Sequence, residues 1–249
     1  MTAPLFLVSP GSLSRSGIGD LVTVEGAEAR HAVSVMRLRI GEPLYLGDGA
    51  GTRVLATVTA ADPRRLEARV TEVASAPAYP HEFVLVQALA KGDRDEQAIE
   101  MATELGVDRI VPWQAERSVS QWRGDKVARG RAKWESVVTA ATKQSRRWWA
   151  PSVSPLASTD EVCRVLASAA LGLVLHEDAT EGVGSQPLPD SGQIVLVVGP
   201  EGGISPAEIE RFVASGAYAV RLGAEVLRTS SAGPAALAVL ASRLRWSET

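Results

Sequence analysis

The residues of this chain best suited to chemistry lie between Ile194 and Ala232: IVLVVGPEGGISPAEIERF, a short spacer, then VRLGAEVLRTSSAG. Two glycine turns, Gly199-Pro200-Glu201-Gly202-Gly203 and the one opening at Gly223, each follow a short apolar run. Glycine lets bare backbone approach a ligand closely, so such turns can hydrogen-bond an adenine or a ribose without charged side chains. Neither turn matches the phosphate loop GxxxxGK[ST] or the dinucleotide fingerprint GxGxxG, and Glu201 would repel a phosphate. The turns therefore predict a neutral or cationic nucleoside rather than ATP. Arg228, in the polar loop after the second turn, is the candidate functional cation. Ser230 and Ser231 read equally well as helix caps. His176, before Glu177-Asp178, follows an apolar strand at the end where α/β folds collect ligands.

A second set of residues is cationic. From Trp113 to Trp149 there are nine Lys/Arg against three Asp/Glu, a net +6, whereas residues 150–249 carry −5 within a chain of net charge −3. A basic block on an acidic protein points to a localised anionic partner. A helix read over Lys126–Trp149 would gather Lys126, Arg129, Lys133, Lys143 and Arg147 within about 100° of one another, with Arg146 and Arg117 near in sequence. Cations neutralise phosphates and tryptophans such as Trp148-Trp149 can stack on bases. Lys91-Gly92-Asp93-Arg94 opens another charged helix, and His31 lies among Arg30, Arg37 and Arg39.

Two kinds of element must position these groups. Residues 1–75 read as a small β-barrel: apolar or alternating runs recur at 5–8, 21–24, 43–46, 53–59 and 66–73, with one helix over 28–37. Ser75–Pro80 reads as a linker. Residues 76–249 then alternate strands (83–90, 109–112, 171–176, 194–198, 219–222) with helices (93–105, 125–149, 160–169, 206–215, 234–245), the grammar of an α/β domain with a mostly parallel sheet. Ser205, Pro206 and Glu208 spell a helix start with a capping box; Pro234 suits a first helical turn.

Composition narrows the function classes. An apolar content of 45% and a charged content of 22% fit an ordinary soluble globular protein. No run approaches the ~18 apolar residues of a membrane span, and the first residues lack the basic region of a signal peptide. Cys163 is the only cysteine, which excludes an internal disulfide and suits a reducing cytoplasm. Three histidines and one cysteine supply no metal-ligand cluster, so no metal is expected, and there is no hydrolase signature.

The ordered set HAVSVMRLRIGEPLYLGDG, KGDRDEQAIEMATELGVDRIVPWQAERS, KQSRRWWAPSV, LVLHED, VVGPEGGISPAEI and LGAEVLRTSSA resembles the bacterial 16S ribosomal RNA uracil-N3 methyltransferases (the RsmE family) of the SPOUT class. The resemblance implies a PUA-like barrel that grips RNA, followed by a C-terminal domain with a deep trefoil knot. It implies S-adenosylmethionine held by three loops: Leu175, His176 and Glu177; Val198, Gly199, Pro200, Glu201 and Gly202; and Leu222, Gly223, Val226 and Leu227. It also implies a homodimer acting on 16S rRNA or the 30S ribosomal subunit. The RNA contacts would fall on His31, Arg37 and Arg39, on Lys91, Arg94 and Arg117, and on Arg129, Lys133, Lys143, Arg146 and Arg147. Arg228 would favour the uracil anion during direct methyl transfer, leaving Cys163 inert. The chain departs from the family pattern at Pro4-Leu5-Phe6, which lacks an arginine, and at Ser230, where the family has glutamate. Ribose 2′-O-methylation and a non-catalytic RNA-binding role are the alternatives.

Overall fold

The computed structural model describes residues 3–246; Met1 and Thr2, where the segment weighed as a signal peptide begins, lie outside the described residues. The chain forms two compact units. One runs to Ala78 and takes in Thr142–Ala150, and the other comprises Tyr79–Ala141 and the chain from Pro151 on.

In the first unit, β1 (Leu5–Leu7), β2 (Leu21–Glu25), β3 (Pro43–Gly47), β4 (Thr52–Asp62) and β5 (Arg65–Ser75) form one sheet in the order β1-β3-β4-β5-β2. Only β1 and β3 pair in parallel. Alternation sets the buried face: Val54, Ala56 and Val58 on β4 and Leu66, Ala68 and Val70 on β5 point inward with Phe6, Leu44 and Leu46. The helix expected over 28–37 is split into α1 (Gly26–Arg30) and a π-turn, His31–Val35. It ends before Arg37, whose φ of 58° is left-handed, a conformation uncommon outside glycine.

The long basic helix is shorter than the sequence predicts. It is α3, Asp125–Gln144, and not 125–149. Arg146 at φ 54° breaks the right-handed path in the manner of a left-handed C-terminal residue. Trp149 then pairs antiparallel with Ala50, and the Gly51 N–H donates to the Trp148 carbonyl at 3.1 Å. Gly51 is required there, because an added Cβ would lie 2.4 Å from Trp149 Cζ2 and φ is +93°. Arg53 covers the Trp148 ring at 4.1 Å. Both tryptophans are thus packed within the first unit, and Arg147 is not part of the helical face.

The second unit is a six-stranded parallel sheet of order β11-β9-β10-β6-β7-β8. Its strands are β6 (His81–Ala88), β7 (Arg109–Trp113), β8 (Ser152–Val153), β9 (Leu171–Leu175), β10 (Gly192–Val198) and β11 (Ala217–Val220). The helices are α2 (Arg94–Glu104), α3, α4 (Thr159–Ala167), α5 (Pro206–Ala214) and α6 (Thr229–Leu244). Two buried clusters use alternate residues of the same strands: Phe83, Leu85, Leu173 and Leu196 in one, Val84, Val86, Val174 and Val197 in the other. Burial on both faces explains the continuous apolar runs of the sequence.

Two boundaries differ from expectation. The last strand ends at Val220 and not Leu222, which frees Arg221 and Leu222 for the following loop. The last helix begins at Thr229, so Pro234 sits inside it and not in its first turn. At Gly233 an added Cβ would lie 3.0 Å from Leu85 Cδ1 and 3.3 Å from Val198 Cγ2. The Gly233-Pro234 pair marks a close approach of α6 to the sheet, and not a helix start.

Candidate functional site

Because β11, β9 and β10 are parallel neighbours, their carboxyl ends lie side by side. This brings together the three stretches singled out by the sequence. The His176 N–H, one residue past β9, donates to the Val220 carbonyl at 2.9 Å. Its Nδ1 accepts from the Asp178 N–H at 3.2 Å, which turns the chain at Glu177.

After β10 comes the Gly199–Gly203 turn, closed by the Gly203 N–H on the Pro200 carbonyl at 2.9 Å. A Cβ at Gly199 would lie 2.6 Å from Ile204 Cγ1 and 3.3 Å from the Ile204 nitrogen, so the turn admits no side chain there. The capping box is formed: Ser205 Oγ accepts from the Glu208 N–H at 3.3 Å, and Glu208 Oε2 accepts from the Ser205 N–H at 3.2 Å. Glu208 Oε1 also accepts from the Glu116 N–H at 2.9 Å, tying the segment after β7 to α5. Arg117 then reaches the Gly202 carbonyl at 3.3 Å.

Glu201 is a latch. Its carboxylate accepts from the Lys91 N–H and from the Arg94 guanidinium, both at 3.0 Å. Burial pushes its pKa up, but the hydrogen bonds from backbone and from Arg94 outweigh that and leave it below the ordinary glutamate value. Arg94 is thus engaged in holding the glycine turn, and Lys91 remains exposed beside it.

The third stretch is open. Gly223 through Arg228 are exposed, with Val226 at 73% and Leu227 at 40%. Arg228 is the N-cap residue of α6 in extended conformation, and its side chain makes no cap. Thr229 supplies the tie that sequence reasoning missed: its Oγ1 donates to the Gly199 carbonyl at 2.7 Å and accepts from Gln87 Nε2 at 3.0 Å. Gln87 is fully buried at the end of β6. A polar residue inside the run 83–90 was the only signal available for it.

The proposed RNA contacts divide between the units. In the first, His31 packs edge-on against Phe6 at 5.7 Å and Arg37 and Arg39 are exposed. Lys143 pairs with Glu28 at 2.7 Å, and Arg146 donates to the Ala3 carbonyl at 3.3 Å. In the second, Lys133 pairs with Glu96 at 2.5 Å, and Lys126 and Arg129 are exposed. The basic segment is therefore partly internal pairing and not a row of free cations. Among the described residues no group of His, Cys, Asp and Glu is arranged to hold a metal ion, and no helix is long and apolar enough to cross a membrane.

Comparison with known proteins decides the family. Residues 77–241 match the model of an RNA methyltransferase domain, and residues 24–71 match an RNA methyltransferase PUA domain. The ribosomal RNA small subunit methyltransferase E of Mycobacterium bovis is 43% identical over 98% of this chain and 94% of its own. The chain belongs to the small subunit methyltransferase E family. The Bacillus subtilis member is 27% identical over 88% of each chain. The Neisseria gonorrhoeae member, crystallised bound to S-adenosyl methionine, superposes with a TM-score of 0.88 at 30% identity and covers 100% of both chains. Like its relatives, this methyltransferase joins a PUA domain to a parallel-sheet α/β domain.

Proposed function

We propose that this methyltransferase transfers a methyl group from S-adenosylmethionine to N3 of a specific uridine in 16S rRNA. The observation that carries the reading is the meeting of three loops at the ends of β9, β10 and β11, with Arg228 on the third, in a chain of this family. The residues fit the cofactor. At Gly199 the chain packs against Ile204 too closely for a Cβ, so the turn offers bare backbone there. Gln87 Oε1 and Ser118 Oγ are buried polar atoms without partners; such atoms call for an explanation. Val226 and Leu227 leave apolar surface beside a polar loop, as at a site that something covers. Leu175, His176 and Glu177, the Val198–Gly202 turn, and Leu222, Gly223, Val226 and Leu227 would hold it.

When bound, S-adenosylmethionine supplies an electrophilic methyl group. The rest falls to the protein. Neutral uracil has no good lone pair at N3, so the N3 proton must pass to solvent water as the N3–CH3 bond forms and the S–CH3 bond breaks. Arg228 favours the resulting anion, and the backbone turns fix the reactants in line, so positioning and electrostatics provide the acceleration. Methylating 30S subunits that lack the modification, then digesting the rRNA for mass spectrometry, tests this. A new base methyl on uridine is expected, and a ribose methyl would reassign the reaction.

Gln87→Leu checks the cofactor reading. It removes the Nε2 hydrogen bonds to Thr229 Oγ1 and the Ala88 carbonyl together with the orphaned oxygen; only one partner of each bond is replaced, so stability should fall by about 1–3 kcal/mol. Urea midpoints should drop accordingly, and calorimetry on the folded variant should show S-adenosylmethionine binding weakened about tenfold (about 1.4 kcal/mol). Unchanged affinity would remove the Gln87–Thr229–Gly199 chain from the site.

The same reading includes a knot and a homodimer. The stretch 181–186 receives the Arg221 N–H at the Glu181 carbonyl (2.9 Å) and the Arg243 guanidinium at the Gly184 and Gln186 carbonyls (2.9 and 3.1 Å). It thus links the end of β11 to the last turn of α6, as a loop threaded by α6 would; a crystallographic chain trace checks it. A second copy would cover Val226 and Leu227, and light scattering would then give twice 26.3 kDa.

A further inference from the structure

Beyond the ends of β6 and β7 lies a half-open cavity of about 140 Å³ that the methyl-transfer reading does not use. Ala90 and Gly92 form one side, Asp95 and Glu96 another, and Ser120, Trp122, Gly130, Lys133 and Trp134 complete it. Trp134 is buried, and the half-buried Trp122 meets it edge to face, with ring centroids 5.3 Å apart at 75°. Gly130 makes this arrangement possible: a Cβ at that helical position would lie 2.4 Å from Trp122 Cε2. The missing side chain in the middle of α3 thus lets the Trp122 ring lie against the helix as a wall of the slot.

Its chemistry is specific. The volume is well below the roughly 300–1,000 Å³ of pockets for drug-sized ligands and corresponds to about four or five water molecules, which suits one heterocyclic ring and not a whole cofactor. The wall is indole. One cation lines it, Lys133, shared with Glu96 at 2.5 Å, and Lys91, adjacent in sequence to the lining residue Gly92, is exposed. Asp95, buried, and Ser120 supply polar groups for a base edge. A ring stacked on tryptophan with phosphate near lysine is how single strands are gripped.

We propose that this slot binds one unpaired base of the RNA, a nucleotide flanking the one that is methylated, with Trp122 as the stacking residue. The inference rests on the RNA-methylation reading and adds to it a subsite for the strand. An acceptor base belongs beside the loops of β9–β11, whereas this slot lies past β6, on the other side of the Lys91–Glu201 latch.

Binding of oligouridylate to the full-length protein, followed by filter retention over a range of salt, tests the slot independently of catalysis. Trp122→Ala should weaken binding about tenfold, within the range for loss of one stacked base, and leave the salt slope unchanged, while Trp122→Phe restores most of it. Gly130→Ala guards against a folding artefact: alanine favours the helix, yet its methyl group drives Trp122 into the slot, and binding should fall similarly. Equal binding by wild type, Trp122→Ala and Gly130→Ala overturns the proposal, as does absence of binding by the wild type. Uridine 5′-monophosphate competing as well as oligouridylate would assign the slot to a free nucleotide and also overturn it. Methylation of 30S subunits by the wild type, measured alongside, reports separately on the proposed reaction.

Discussion

Arg228→Ala should lower the methylation rate about 10²–10³-fold, the loss expected when one donor aimed at a developing anion is removed. S-adenosylmethionine affinity should change little. The separation follows from where the residue sits. Its backbone caps α6, but its side chain makes no capping hydrogen bond, so alanine leaves the helix start and the Thr229–Gly199 tie intact. The guanidinium is exposed on the third loop and makes no capping contact to the helix; in the proposed mechanism it acts on the acceptor. Arg228→Lys keeps the charge but loses the planar fork, and should fall between the two. Single-turnover methylation of 30S subunits gives the rate, and calorimetry gives the cofactor affinity. Undiminished methylation by Arg228→Ala would take this residue out of the mechanism. A parallel loss of cofactor binding would make it a binding residue instead.

The site was legible where local patterns determine it. The apolar runs before Gly199 and after Leu171 become β10 and β9, and Ser205-Pro206-Glu208 forms its capping box because every partner lies within four residues. What the sequence did not reveal depends on partners far along the chain. The helix read through Trp149 stops at Gln144 because Trp149 pairs with Ala50 and needs the space at Gly51. Lys143, placed on a cationic face by helical spacing, is paired with Glu28, 115 residues away. Glu201, read as a negative group facing a ligand, is turned toward Lys91 and Arg94 across more than 100 residues. Gln87 was hidden inside an apolar run, and the Trp122 slot depends on a glycine one helix later. Helical spacing shows which residues share a face; it does not show which of their charges are already matched.

Asp95 offers the second large effect, in stability and not in turnover. Burial raises its carboxyl to about 6 from the ordinary 3.8, against the opposing backbone hydrogen bonds from Ala90 and Glu96 and with some help from the Glu96 charge. The folded state therefore prefers the neutral acid. Its contribution is fully present below pH 3.8, begins to fade once the unfolded chain ionises, and is gone as pH rises through about 6. Two pKa units correspond to about 3 kcal/mol. Asp95→Asn cannot ionise, so it removes this dependence, at a constant loss of about 1 kcal/mol for the backbone N–H that faces its amide. Total stability will not show the effect plainly, since the depressed Glu201 loses stability in the opposite direction, as pH falls. Subtracting the two proteins cancels Glu201. Urea unfolding at pH 4 and pH 7 should show the wild type losing about 2 kcal/mol relative to Asp95→Asn between those values, since a small part is already lost by pH 4. A gap that stays flat would mean that the Asp95 carboxylate is solvated in the folded protein and that the slot it lines is wet at its floor.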